Sequence, residues 1–129
     1  MKCPSIPVSW GELFDKITIL QIKLENLTSK RALKNVEQEH EQLFLIFKNK
    51  FHEKPMAKKL FEDLKAINEK LWDIEDKIRN KERVGLFDQE FIDLARKVYF
   101  TNDERSRIKL KINEFLGSDL IEEKSYADY

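Results

Sequence analysis

Residues 55–79, PMAKKLFEDLKAINEKLWDIEDKIR, decide the fold class of this chain. Apolar side chains recur there at spacings of four or three residues: Met56, Leu60, Leu64, Ile67, Leu71, Ile74 and Ile78. This spacing places one apolar stripe along an α-helix, whereas a half-buried strand would alternate every second residue. Because Pro55 suits the first position of a helix, we predict a helix from about Pro55 to Arg83.

The same periodicity on both sides of this segment predicts an all-α fold of about five helices. The other four are expected at about Trp10 to Leu27, at about Lys30 to His52, after Asp88 and after Thr101. The short connection between the second and third helices predicts a long antiparallel hairpin, with the first helix packed along it. The first helix is apolar on more than one side, which indicates that it is the central one.

Polar residues and glycines mark the expected helix ends. Ser9-Trp10-Gly11-Glu12 and Thr101-Asn102-Asp103-Glu104 both have the spacing of a capping box, which is typical of a helix start. Gly85 and Gly117 suit the left-handed position after a helix. Residues 1–8 are expected to form an extended lead-in, and the aromatic tail 118–129 is expected to dock on the helices.

Length and composition predict one helical domain over residues 1–129. The chain has 24 Lys and Arg against 24 Asp and Glu, so it lacks the overall positive charge of a nucleic-acid-binding protein. Its single cysteine, Cys3, excludes an internal disulfide framework and a zinc site built from several cysteines. No apolar run approaches the roughly 20 residues of a membrane span, and no signal peptide is apparent. We therefore expect a cytoplasmic protein, and we expect no metal or cofactor.

The apolar stripes of the second and third helices also predict self-association. A hairpin of about 35–42 Å would present more apolar length than three shorter helices cover. We therefore expect a homo-oligomer.

Polar residues set among core positions are the candidate binding residues, because burying them without partners is unfavourable. On the first helix they share a side or lie beside it: Glu12, Asp15, Lys16 and Lys23. The third helix carries a second stripe next to its apolar one: Asn68, Trp72, Glu75, Asp76 and Arg79. A third set crosses the expected corner near Thr101: Tyr99, Asn102, Asp103, Arg105 and Lys109. We expect the first two sets to face each other across a partly buried polar cleft, with the third at its mouth.

Structural interpretations of these residues stay open beside the functional one. Glu75 and Arg79 are spaced as a surface ion pair, worth a few tenths of a kcal/mol, and Asp103 suits a helix start. Pairs of carboxylates one turn apart, Glu12 with Asp15 and Asp73 with Asp76, have a spacing that can hold Mg²⁺ with a phosphate. That spacing keeps a Mg²⁺-dependent nucleotide phosphohydrolase among the alternatives.

Four blocks of the sequence resemble a functionally uncharacterised family of short helical bacterial proteins, some encoded near glycosyltransferase and surface-polysaccharide genes. The blocks are SWGELFDKITILQIKLE, NEKLWDIEDKIR, FIDLARKVYFTNDERSRIKLKIN and GSDLIEEKSYADY. The resemblance implies no assigned activity. It does imply that the family's motif residues coincide with the fourteen candidates named above.

The first helix is also faintly similar to that of helical chorismate mutases, through residues 14–20, FDKITIL. The arginine which that family places later on the helix is absent, and Lys23 is the nearest cation. Two functions are therefore carried forward. The first is a non-catalytic binding or accessory module for an anionic small molecule or a protein partner, with a link to surface-glycan synthesis. The alternative is a small enzyme that acts on an anionic metabolite.

Overall fold

The computed structural model describes residues 1–129 and contains four α-helices and no strand. The helices are α1 (Trp10–Asn26), α2 (Lys30–Phe51), α3 (Pro55–Val84) and α4 (Gln89–Leu116). The all-α prediction and the bounds of the first three helices are confirmed. None of the four helices combines the length and the apolarity needed to cross a membrane.

The helix ends follow the local chemistry of the sequence. The Ser9 side chain accepts a hydrogen bond from the Glu12 backbone N–H at 3.1 Å, and the Asp88 side chain accepts one from the Phe91 N–H at 3.0 Å. Each bond satisfies a backbone donor that has no partner within its helix. Gly85 adopts a φ of 70° after α3, in the left-handed region where glycine is favoured.

The prediction of separate fourth and fifth helices is wrong, because one uninterrupted helix covers both segments. Thr101, the expected start of a fifth helix, is only 2% exposed in the middle of α4. Capping-box spacing also occurs by chance inside helices, and α4 contains neither proline nor glycine to interrupt it before Gly117. Packing of α4 on α1 and α3 then carries the helix through this point.

The expected hairpin of the second and third helices is also not the arrangement observed. The long antiparallel pair is formed by α3 and α4, which a short turn joins and which pack together extensively. Helix α2 packs mainly on α1, and it meets α3 over a short stretch where the Phe47 and Phe61 ring centroids lie 4.6 Å apart. With 30 and 28 residues, α3 and α4 each span about 42–45 Å at 1.5 Å per residue. An uninterrupted α4 is long enough to pack along most of α3, which explains why α3 pairs with α4 rather than with α2.

Helix α1 is central, as predicted, since it packs against all three other helices. The core lies at the end of the molecule where α1 begins, and Phe14 at its centre is fully buried. The Phe14 ring makes edge contacts with Phe47, Phe51 and Phe61 at centroid distances of 5.1–5.8 Å. At 17 residues, α1 is much shorter than α3, so the distal half of the α3–α4 pair extends past it.

Candidate functional site

A buried carboxylate, Asp15, lies where α1, α3 and α4 meet. Its side chain is 3% exposed. Arg105 on α4 binds it with two donors: Nε donates to Oδ1 at 2.9 Å, and Nη2 donates to Oδ2. Asn68 on α3 donates a third hydrogen bond to Oδ1 at 3.0 Å. Two parallel bonds from one guanidinium give both affinity and a fixed orientation, so Asp15 and Arg105 hold α1 against α4.

Lys109, one turn further along α4, forms ion pairs with the carboxylates of Glu12 and Glu122. Its side chain is 7% exposed, and Nζ lies 3.0 Å from Glu12 Oε2 and 2.8 Å from Glu122 Oε2. Asp15 Oδ2 is 3.8 Å away. Burial by itself would lower the pKa of Lys109, but the hydrogen bonds to Glu122 and Glu12, together with the negative charges of Asp15 and Glu12, raise it. Lys109 therefore stays charged, and it ties the tail residue Glu122 to α1 and α4.

Neutral side chains complete this buried network. Thr18 is fully buried; its hydroxyl donates to the Asp15 carbonyl at 2.9 Å and accepts from Asn68 Nδ2 at 3.0 Å. Asn113 accepts a hydrogen bond from the Gly11 backbone N–H at 2.7 Å. We refer to Glu12, Asp15, Thr18, Asn68, Arg105, Lys109 and Glu122 as the polar network. Each of these side chains has a partner, as the buried members Asp15, Thr18, Asn68 and Lys109 require; Glu12, Arg105 and Glu122 are partly exposed.

A groove of about 460 Å³ opens beside the polar network. It is lined by Ile19, Asn68, Leu71, Trp72, Glu75, Asp76, Arg79, Asn102 and Arg105. Asn68 and Arg105 belong to both the groove and the network, so the network fixes part of the groove wall. Arg105 Nη1 also donates to Asn102 Oδ1 at 3.4 Å.

Arg79 is the most accessible cation of the groove. Its side chain is 78% exposed, and its one hydrogen bond runs from Nε to Glu75 Oε2 at 3.3 Å. The two terminal nitrogens of Arg79 have no partner in the chain. The Glu75–Arg79 contact is thus the surface ion pair that the spacing allowed, and it leaves donors free for a ligand.

The structure brings ten of the fourteen candidate residues together in the network or the groove. They are Glu12, Asp15, Asn68, Trp72, Glu75, Asp76, Arg79, Asn102, Arg105 and Lys109. Tyr99 and Asp103 lie on another surface, where the Tyr99 and Tyr129 ring centroids are 5.3 Å apart and Asp103 accepts a hydrogen bond from the Tyr129 hydroxyl.

The expected position of Lys16 and Lys23 across from Glu75 and Arg79 is not observed. Lys16 is exposed and Lys23 is half-buried, and neither lines the groove or forms an ion pair. Adjacent residues on a helix point about 100° apart. The face of α1 that carries Asp15 packs on α3 and α4, and this turns Lys16 away.

The two carboxylate pairs proposed for Mg²⁺ have different surroundings. Glu12 and Asp15 bind the Lys109 ammonium and the Arg105 guanidinium, while Asp73 and Asp76 are exposed on α3. No group of three or more His, Cys, Asp or Glu side chains is arranged to hold a metal ion.

Four residues of the region were missed from the sequence: Gly11, Thr18, Asn113 and Glu122. Thr18 and Asn113 each interrupt an apolar helix face, which is the same signal that identified Asn68. Gly11 lies in the first turn of α1, where a glycine gives no advantage unless a neighbouring segment of backbone comes close to it. Glu122 carries no such signal, because its contact with Lys109 depends on the path that the C-terminal tail takes over the helices.

Glu122 predicts how the stability of this region depends on pH. Its hydrogen bonds from Lys109 and Lys124 lower the pKa of Glu122 from 4.5 to about 2. A lowered pKa stabilises the folded state above the unfolded-state value, and this stabilisation is lost as the pH falls from about 4.5 towards 2. We expect Glu122→Gln to lower the free energy of unfolding by about 1 kcal/mol at pH 7, because the side chain is 38% exposed and solvent screens it.

The measurement is urea unfolding of the Glu122→Gln variant and of the unaltered protein at pH 7 and at pH 2.5. The difference between them should shrink at the lower pH. Glu123→Gln is the matched control, since Glu123 is exposed and forms no ion pair. An equal effect of the two substitutions at pH 7 would contradict the prediction.

Comparison with known proteins gives one match. A family model described as a family of unknown function, DUF6165, matches residues 4–129. Searches of the curated proteins and of the solved structures find no match. The match agrees with the predicted membership of a functionally uncharacterised family.

Proposed function

The chain belongs to the DUF6165 family, to which no function is assigned, and we propose that it is a non-catalytic binding module. Its ligand would occupy the groove beside the polar network and would carry an anionic group. The observation that carries the proposal is that Trp72 and Arg79 line the same groove, where the terminal nitrogens of Arg79 have no partner in the chain. A guanidinium with free donors binds carboxylate or phosphate, and an indole ring offers a flat apolar face for stacking.

The internal pairing of the buried cations favours binding over catalysis. A chorismate-mutase-like reaction would need cations free to hold two carboxylates. Arg105 is instead bound to Asp15, and Lys109 to Glu12 and Glu122. Of the two carboxylate pairs spaced for Mg²⁺, Glu12 and Asp15 are bound by these cations, whereas Asp73 and Asp76 are exposed and are not bound by them. The network is therefore interpreted as support for the groove rather than as reacting groups.

The link to surface-glycan synthesis rests on the resemblance given above. We place the protein in the bacterial cytoplasm as a homo-oligomer, acting as an accessory module for surface-glycan synthesis. Nucleoside diphosphate sugars are the first ligands to test, since they combine rings for Trp72 with charged oxygens for Arg79.

Binding should be weakened when either the Trp72 or the Arg79 side chain is replaced. For any nucleoside diphosphate sugar or dicarboxylate that raises the melting temperature, Trp72→Ala and Arg79→Gln should each weaken binding at least about 10-fold, or 1.4 kcal/mol. Isothermal titration calorimetry gives the dissociation constants. Both residues are accessible at the groove, so circular dichroism should show that the variants keep the fold.

Arg31→Gln is the matched control, because Arg31 is exposed on α2, forms no ion pair and does not line the groove. The binding proposal fails if no compound of these classes stabilises the protein, or if Trp72→Ala leaves the affinity unchanged. Turnover of a bound compound would favour the enzyme instead.

A further inference from the structure

Large apolar side chains are exposed together at the turn between α3 and α4. Val84, Leu86, Phe87 and Ile92 are 61%, 51%, 59% and 48% exposed. The Phe87 ring packs edge-on against Phe91 at 5.1 Å, so this ring is held at the surface rather than free to fold inward. We call these four residues the tip patch. Single exposed apolar residues are ordinary, but four large ones within nine residues at one turn indicate an interaction surface.

The tip patch is exposed because the α3–α4 pair extends beyond the rest of the fold. From residue 74 to residue 100, only Ile74 and Leu94 are buried. Helix α1 approaches only the near end of this region, where Ile19 shares the groove with Glu75 and Arg79. When only two helices pack together, each buries one face against the other, and the remaining faces of both helices stay exposed to solvent. A two-helix end of this length is completed by further helices, as in a four-helix bundle.

Charge on the two flanks of the tip identifies what those helices are. The last turns of α3 are rich in cations: Lys77, Arg79, Lys81 and Arg83, with Glu82 among them. The first turns of α4, and the residue before them, are acidic: Asp88, Glu90 and Asp93. Within the chain, Lys81 lies 2.9 Å from both Asp88 and Glu90, while Arg83 forms no ion pair. An apolar patch with one basic and one acidic flank is complementary to a copy of itself related by a two-fold axis.

We propose that the tip patch is the surface through which two copies of this chain associate. The basic end of α3 in each copy lies against the acidic start of α4 in the other, and the apolar residues of the two tips form the centre. The four apolar residues of the tip patch do not line the groove, although Arg79 on its basic flank does.

Light scattering on the full chain tests the interface. At tens of micromolar the mass should be twice the 15.5 kDa of the chain, and Phe87→Asp should return it to the monomer with the helix content unchanged. Leu45→Asp is the control, because Leu45 is 55% exposed on α2, away from the tip, and its substitution should leave the dimer intact. A monomeric wild-type protein overturns the proposal. A dimer that survives Phe87→Asp overturns it as well.

Charge reversal tests the orientation of the two copies. Arg83→Glu and Glu90→Lys should each weaken self-association at least 10-fold, because each places like charges across the two-fold axis. An equal mixture of the two variants should restore dimers, since every contact between residues 83 and 90 then joins opposite charges. Failure of the mixture to associate overturns the proposed orientation.

Discussion

Arg105→Met should lower the free energy of unfolding by about 3–5 kcal/mol, because it leaves a buried carboxylate without its main partner. Asp15 is 2% exposed, and Arg105 supplies two of the three side-chain hydrogen bonds to its carboxylate. The same contact raises the pKa of Arg105 above its usual value, so the guanidinium is charged at any pH where the protein folds. Lys109, at 3.8 Å, is already bound to Glu12 and Glu122 and replaces it poorly.

The double variant Asp15→Leu with Arg105→Met distinguishes the ion pair's contribution to stability from the contribution of side-chain packing at the same positions. Removing both charges avoids an unpaired ion, so the double variant should be more stable than Arg105→Met alone. Urea unfolding of the two single variants and the double variant gives the coupling energy between the residues. Arg79→Met is the control: its ion pair with Glu75 is exposed, and its loss should change the stability by less than about 0.5 kcal/mol. Equal effects of Arg105→Met and Arg79→Met would contradict the prediction.

The fold was predictable wherever local chemistry decides it. The four-and-three spacing from Met56 to Ile78, the caps at Ser9 and Asp88 and the stops at Gly85 and Gly117 all act within one or two turns of helix. Thr101 shows the limit of that approach, because a capping box indicates a helix start only if the preceding turn also ends. Whether α4 is interrupted depends on its packing against α1 and α3, which no local pattern encodes.

Helix pairing could not be read from connection length. The links α2–α3 and α3–α4 are both short, so each allows an antiparallel neighbour. The choice depends on which helix buries more surface on α3. Helix α4 runs along its length, whereas α2 contacts it near Phe47 and Phe61 and otherwise packs on α1.

Most of the residues of the candidate site could be predicted from the sequence, but the directions in which the side chains of α1 point could not. Burial of Asp15 and Asn68 follows from polar residues set among apolar ones. The angle at which α1 presents its faces is a tertiary property. That angle directs Asp15 towards Arg105 and leaves Lys16 exposed, although the two residues are adjacent in the chain.

The whole arrangement depends on how closely α1 approaches α4, and Gly11 sets that distance. A methyl group built on Gly11 would lie 2.6 Å from the Lys109 carbonyl oxygen and 2.9 Å from Asn113 Oδ1. Neither Gly85 nor Gly117 has a neighbour within 4 Å of such a group. The first contact is with backbone, which cannot rotate away as a side chain can. A substitution at Gly11 must therefore push the two helices apart, at the point where Lys109 and Asn113 bind α1.

Gly11→Ala should lower the free energy of unfolding by about 2–3 kcal/mol, from overpacking at this contact. The direction is diagnostic, because alanine in place of glycine in a helix otherwise stabilises by up to about 1 kcal/mol. Urea unfolding measures the change. Asn113→Ala combined with Gly11→Ala removes only the side-chain contact at 2.9 Å, so the double variant should not regain the stability of Asn113→Ala alone. A Gly11→Ala protein as stable as the unaltered one would mean that α1 and α4 are not held at this separation, and the buried network beside them would lose its structural basis.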